Sequence, residues 1–474
     1  MKKVFWILSA LFLFGACAET KKENKDELKK PNIIYILADD LGYGDIGAYG
    51  QTEIQTPNLD KMAEKGIRFT QHYSGSTVCA PSRCVLMTGL HTGHAKIRAN
   101  SSLPLSEEDV TVGNLLQDAG YKTGVIGKWG LGELNTTGHP NKQGFDYFFG
   151  YLSQLRAHNF YPDYLWRNTE KVPLDNEVVY VQEGKLKGRG SAAVEKNEYS
   201  HDLFTADALN FVEESADEPF FLYLAYTIPH TNNEHWLVDE HGMEVPDYGQ
   251  YADKDWPDAQ KGLAAMITLM DRDIGKIKEK LEKLGIDKNT LVIFTSDNGP
   301  HSEGENDPKF FNSSGGLRGQ KRDLYEGGIR VPMIAYWPET IEPGQTSDHI
   351  SAHWDFLPSA CDLAGIEAPD NIDGISFMPE LLGEEQAEHK ALYWEFNLPN
   401  KGGKQAVRKG KWKLVKLDIL DPSKTRLELY NLENDRAEQQ DVSEQYPEVL
   451  AEMKKLLETE RTESELFPLY TLNE

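Results

Sequence analysis

Four oxygen-bearing residues stand in two adjacent pairs, Asp39-Asp40 and Asp297-Asn298, and each pair follows a run of mostly apolar residues. Carboxylates and carboxamides are hard ligands, suited to Ca²⁺ or Mg²⁺ and not to Zn²⁺. Together the pairs offer four oxygen donors, while Ca²⁺ takes roughly 6–8, leaving room for a substrate and one further residue. Asp-Asp-Leu-Gly and Asp-Asn-Gly are also good turn sequences, so either pair alone reads as a turn. Both at strand ends, beside a third segment, VCAPSRCVLMTGL from Val78 to Leu90, point instead to a metal site.

The third segment holds Cys79 and Cys84 with Ala80, Pro81, Ser82 and Arg83 between them. Proline favours a first helical position, so a helix is predicted to begin just after Cys79. Five helical residues rise roughly 7.5 Å, more than the ~7 Å between Cα atoms that a disulfide tolerates. Cys84 is therefore read as a small core residue. A cysteine at a helix N-terminus beside an arginine could act as a thiolate nucleophile. Cysteine phosphatases, however, place more residues between the two than the three found here. A soft thiolate also sits badly among hard-ion ligands, a conflict that replacing sulfur by oxygen removes.

Positioning these groups requires strands that end where the chemistry starts. PNIIYILADD, FFLYLAYTIPH, NTLVIFTSDNG and VPMIAYWP are largely unbroken apolar runs, and three of them end in polar groups. Between them lie helical patterns such as TVGNLLQDAGY and GLAAMITLMDRDIGKIKEKLEKLG. Buried strands alternating with helices indicate an α/β layer fold with a largely parallel sheet, whose ligands gather outside the carboxyl ends of the strands. After about Phe377 the pattern changes to short strands (ALYWEF, QAVRKGKWKLVKL, LELYNLEND) and a terminal amphipathic helix, YPEVLAEMKKLLE. The predicted organisation is a leader over 1–17, a charged tether over 18–30, a catalytic domain over 31–378 and a smaller α+β domain over 379–474.

The chain opens MKKVFWILSALFLFGACAET, where two lysines precede an apolar run ending in small residues. This reads as a secretory signal peptide, too short to span a bilayer, which needs roughly 20 apolar residues. Gly15-Ala16-Cys17 is similar to the lipobox of bacterial lipoproteins, with Phe14 where a smaller aliphatic residue is preferred, and implies acylation of Cys17. The expectation is an exported protein, anchored to a bacterial membrane only through that lipid and facing the periplasm or the cell surface. Export places Cys79, Cys84 and Cys361 in a disulfide-permissive compartment, yet three cysteines cannot staple 474 residues. Stability must come from a large core. A formal charge of −26 argues against nucleic acid or an anionic membrane surface as partner.

C-A-P-S-R from Cys79 to Arg83 resembles the C-x-P-S-R signature of type I sulfatases, and Leu86-Met87-Thr88-Gly89 resembles their following L-x-T-G. The resemblance extends to IIYILADDLGYGD, VIGKWGLG, IPH, TSDNG, LYEGGIRVP and VRKGKWKLV…ELYNLEND. It implies an alkaline-phosphatase-like fold, with a large mixed sheet between helices and a smaller C-terminal α+β domain. It implies that a formylglycine-generating or anaerobic sulfatase-maturating enzyme converts Cys79 to formylglycine. It also implies that Asp39, Asp40, Asp297, Asn298 and residue 79 hold one Ca²⁺, with Mg²⁺ the less favoured ion. The hydrated aldehyde would attack sulfur with one hydroxyl, and loss of a proton from the other would expel sulfate. Arg83, Lys128 and Lys321 would stabilise negative charge, and His230 would protonate the leaving alcohol.

Many members of that family carry a histidine two residues after the GKW lysine, where this chain has Gly130, and an arginine where it has Leu90. His91, His94 and His158 are the candidates for a replacement base or for substrate contact. The expected activity is hydrolysis of sulfate esters on polysaccharides or oligosaccharides, such as algal glycans or glycosaminoglycans. Aromatic residues in YLSQLRAHNFYPDYLWRN either line a glycan subsite or pack inward. The rival functions are a phosphodiesterase or phosphonate hydrolase of the same superfamily and a non-catalytic glycan-binding lipoprotein.

Overall fold

A computed structural model describes Met1, residues 30–397 and residues 403–469. The leader, the proposed lipidation site Cys17 and nearly all of the tether lie outside the described residues. Ten strands form one mixed sheet: β1 (Asn32–Ala38), β2 (Ile67–Phe69), β3 (Lys122–Lys128), β4 (Tyr147–Tyr151), β5 (Tyr164–Arg167), β6 (Glu170–Pro173), β7 (Phe220–Ala225), β8 (Thr290–Ser296), β9 (Met333–Tyr336) and β10 (Gln345–Ser347). Their spatial order is β10-β2-β9-β8-β1-β7-β3-β4-β5-β6. The central run from β8 to β4 is parallel, and β9, β5 and β6 pair antiparallel with their neighbours. The four apolar runs singled out in the sequence are β1, β7, β8 and β9.

Alternation along β1 shows how the sheet is buried on both faces. Ile33, Tyr35 and Leu37 join one apolar cluster, with residues of α1 (Cys79–Thr88). Ile34, Ile36 and Ala38 join a second cluster, which includes buried residues of α2 (Ser200–Glu214) and α3 (Asp258–Leu284). Helices therefore cover both faces, and side chains of period two meet helix faces of period 3.6.

Four further strands, β11 (Leu392–Phe396), β12 (Lys404–Lys409), β13 (Trp412–Leu417) and β14 (Arg426–Asn431), form an antiparallel sheet in sequential order. Trp394, Ala406 and Val415 on one face share the apolar cluster of α1. Tyr393, Val407 and Leu414 on the other meet Met453 and Leu457 of α4 (Pro447–Thr459).

Candidate active site

Register brings the acidic pairs together. Ala38 at the end of β1 lies opposite Ser296 at the end of β8, so Asp39 and Asp297 emerge side by side. The Asp40 amide donates to Asp297 Oδ1 at 3.0 Å, and the Asn298 carboxamide donates to Asp40 Oδ1 at 2.7 Å. Asp40 adopts φ +66°, a sparsely populated conformation for a residue with a side chain, which marks a constrained site.

Helix α1 begins at Cys79 itself and not just after it, with Pro81 still inside the first turn. Cys79 Sγ donates to Asp39 Oδ1 at 3.4 Å. Burial, reinforced by Asp39, pushes the Cys79 thiol far above its ordinary range, so this sulfur is no ready thiolate. All three described cysteines are buried and free, and Cys84 packs in the core as expected. Arg83 on the same helix is wholly buried. It donates to Asp297 Oδ2 at 2.8 and 3.2 Å and to the Lys128 carbonyl at 2.7 Å. Arg83 therefore braces the acids from behind.

Two ammonium groups face these acids. Lys128, the last residue of β3, donates to Asp39 Oδ2 at 2.7 Å, and Lys321 donates to Asp40 Oδ2 at 2.6 Å. Burial acts to raise the Asp39 pKa, but Lys128, His230 and Arg83 outweigh it and hold the carboxyl well below the usual range. Asp297 goes the other way: burial and the neighbouring Asp39 push it up to about 7.

His230 follows β7 and spends Nδ1 on the Thr231 carbonyl at 2.6 Å, which leaves Nε2 facing Lys321 Nζ at 3.0 Å. Burial and Lys321 hold this imidazole well below its ordinary pKa. The His158 ring stacks on it at 5.1 Å, its own Nδ1 lying 3.0 Å from the buried carboxylate of Glu234.

Cys79, Lys128, Lys321, His230 and His158 line one cleft of about 330 Å³. Its other walls carry Asn100, Ser101, Ser102, Ser153, Gln154, Asn233, Glu133, Arg189 and Arg322 together with Leu103, Leu152 and Leu155, and among the described residues no Phe, Tyr or Trp. Phe160, Tyr161 and Leu165 pack inward, so the aromatic stretch contributes Leu152, Ser153, Gln154, Leu155 and His158 to the cleft, not its aromatic residues. A larger groove of about 770 Å³, lined by Thr70, Arg330 and Arg436 among others, includes neither Cys79 nor Lys128 nor Lys321.

Gly130 also lines the cleft, at φ +77°. A Cβ there would stand 1.8 Å from Gln154 Nε2, so the Gln154 side chain fills the space that a side chain at position 130 would take. His91 and His94, proposed as alternatives, lie elsewhere. Both rings stack on each other and are held by Asp373, at 3.6 and 2.8 Å, and neither lines the cleft. Reasoning from sequence missed Gln154, Asn233, Arg189 and Glu303, the last of which lies 2.5 Å from Arg322 and 3.4 Å from Lys321. Gly130 was the one signal that an unusual neighbour was present.

The sulfatase family model matches residues 31–366, and the C-terminal model of N-sulphoglucosamine sulphohydrolase matches residues 319–463. The chain belongs to the sulfatase family. An N-acetylgalactosamine-6-O-sulfatase of Bacteroides thetaiotaomicron is 32% identical, over 98% of this chain and 100% of its own. Human arylsulfatase A is 34% identical, over 81% of this chain and 74% of its own. The crystal structure of Ps i-CgsB aligns with a TM-score of 0.75 at 29% identity, covering 94% of this chain and 96% of that one. The same protein in complex with k-i-k-neocarrahexaose aligns equally well. This sulfatase is thus a type I enzyme of the alkaline-phosphatase superfamily and a sulfuric ester hydrolase, which disfavours both rival functions.

The family implies a metal site and formylglycine, and the residues present fit a hard cation. Asp39, Asp40, Cys79 and His230 place ligand atoms within 4.8 Å of one another. Asn298 Oδ1 is buried beside them without a hydrogen-bond partner, as an oxygen awaiting an ion would be.

Proposed function

We propose that this sulfatase removes sulfate from a sulfated polysaccharide or oligosaccharide, with Cys79 converted to formylglycine by a maturating enzyme. One Ca²⁺ would be held by Asp39, Asp40, Asp297, Asn298 and residue 79. The observation that carries this reading is the convergence of the two acidic pairs on each other, with Asp39 in contact with Cys79, which lines the cleft. Hydrated formylglycine supplies an oxygen nucleophile able to revert to the aldehyde, and the ion supplies positive charge beside it.

The chain's own residues prepare the rest. Lys128 and Lys321 hold their ammonium groups in the cleft through Asp39 and Asp40, so sulfate meets preorganised positive charge in a protein of net charge −26. Arg83 fixes Asp39 and Asp297, two of the carboxylates that would hold the ion. The proton for the departing alcohol originates on the Lys321 ammonium, which donates across 3.0 Å to Nε2 of His230, and the imidazole passes it on. With Nδ1–H directed at Glu234, His158 keeps a lone pair on Nε2 and takes the proton whose removal releases sulfate.

Export and anchoring through Cys17 belong to the same proposal, as does the division into parts at 378/379. The test is a panel of sulfated oligosaccharides set against phosphodiesters. Sulfate release from the former is expected, and faster turnover of the phosphodiesters would reverse the assignment.

A further inference from the structure

Three polar atoms in the cleft wall are buried and unpartnered among the described residues: Ser153 Oγ, Gln154 Nε2 and Asn233 Oδ1. Two loops bring them there. Ser153 and Gln154 lie on the loop that carries His158, and Asn233 adjoins Glu234, and the two loops are joined by the 3.0 Å His158–Glu234 contact. Gln154 reaches its place because residue 130 is glycine.

Burying a polar group without a partner is costly, so such atoms in a binding cleft call for a ligand that satisfies them. What they ask for is specific. The Gln154 amide nitrogen can only donate, the Asn233 carbonyl can only accept, and a serine hydroxyl does either. A sulfate group offers acceptors alone and cannot satisfy Asn233. The part of the ligand beyond sulfate must therefore carry donors as well as acceptors, as ring hydroxyls do and as an aryl or sterol skeleton does not.

We propose that Ser153, Gln154 and Asn233 form a sugar-reading subsite that binds hydroxyl groups of the sulfated residue and selects it over aryl and steryl sulfates. This rests on the sulfated-carbohydrate reading and names the residues that enforce it. Gly130 belongs to the subsite because it leaves room for the Gln154 carboxamide. The absence of Phe, Tyr and Trp among the described residues lining the cleft agrees with selection by hydrogen bonds and not by stacking.

The experiment compares Gln154→Ala and Asn233→Ala with wild type, using the matured full-length enzyme. The substrates are a sulfated oligosaccharide that the wild type hydrolyses and 4-nitrophenyl sulfate. A site built to hydrogen-bond a hydroxyl loses that discrimination when its partner is truncated. The ratio of kcat/KM for sugar over aryl substrate should fall about 10–100-fold in each variant. Inhibition by the desulfated sugar should weaken in step, with inorganic sulfate inhibiting as it does in wild type. An unchanged ratio with unchanged inhibition by the sugar would overturn the proposal. Should Gln154→Ala fail to fold, Gly130→Ala provides a second route, since its Cβ displaces Gln154. A wild type that hydrolyses 4-nitrophenyl sulfate and no sulfated sugar would instead overturn the carbohydrate reading itself.

Discussion

Asn298 puts the metal assignment to a single-residue test, because its carboxamide oxygen is the buried acceptor left without a partner. A ligand present at about 1,000 times its Kd adds about 4 kcal/mol to stability. Wild type should therefore show a clear rise in melting temperature with Ca²⁺, largely lost in Asn298→Ala; an equal rise in both would exclude Asn298 as a ligand. For His158, replacement by alanine should lower kcat by about 10²–10⁴-fold with a much smaller change in KM. Glu234→Gln should reproduce part of that loss, because it removes the group that orients the ring. A His158 variant with wild-type kcat would return the base to an unassigned residue. At this scale the sequence was most informative where chemistry lies in contiguous pairs, as at Asp39-Asp40, Cys79–Arg83 and Asp297-Asn298. It was blind to Gln154 and Asn233, which become neighbours only when two loops close. Gly130 revealed a missing side chain but not what occupies its place.

Strand ends, not loops, set the geometry of the site, and the unbroken apolar runs made those strands legible. Short strands such as β2 and the edge strand β10 were missed, because three residues leave no periodic signal. The C-terminal sheet was legible as strands, but its attachment was not. Lys413 of β13 is fully buried and bridges Glu326 and Glu438 at 2.9 Å each. Burial acts to raise the Glu326 pKa, but Lys413, Arg330 and Arg408 hold it below the usual carboxylate range. Breaking a buried pair by removing one partner costs about 3–5 kcal/mol, since the remaining charge has lost its partner. Lys413→Met should destabilise the protein by that order in denaturant unfolding. A change below about 1 kcal/mol would resemble a surface pair and contradict the bridge. Because both sheets share one apolar cluster, the two parts should unfold in one transition.

Over the whole molecule, buried histidines contribute to the response to acid. Burial pulls His353 down to about 3 and His91 down to about 4, and it also holds His72 well below its ordinary value. In the unfolded chain these rings titrate near 6.5, so between there and about 3 the unfolded state binds more protons. Their contribution is complete above pH about 6.5 and is lost as pH falls, at roughly 1.4 kcal/mol per pH unit for each ring. His353→Asn should flatten the fall of melting temperature between pH 6.5 and 4, and an unchanged slope would contradict neutrality of the buried ring. No helix among the described residues is long and apolar enough to cross a membrane. The central claim remains that sulfate ester hydrolysis runs through an oxidised residue 79 in a carbohydrate-binding cleft. Its most direct measurement is sulfate released from a sulfated oligosaccharide by the matured enzyme and by Cys79→Ala. Release by the former and none above background by the latter is the predicted result, and equal release by both would contradict it.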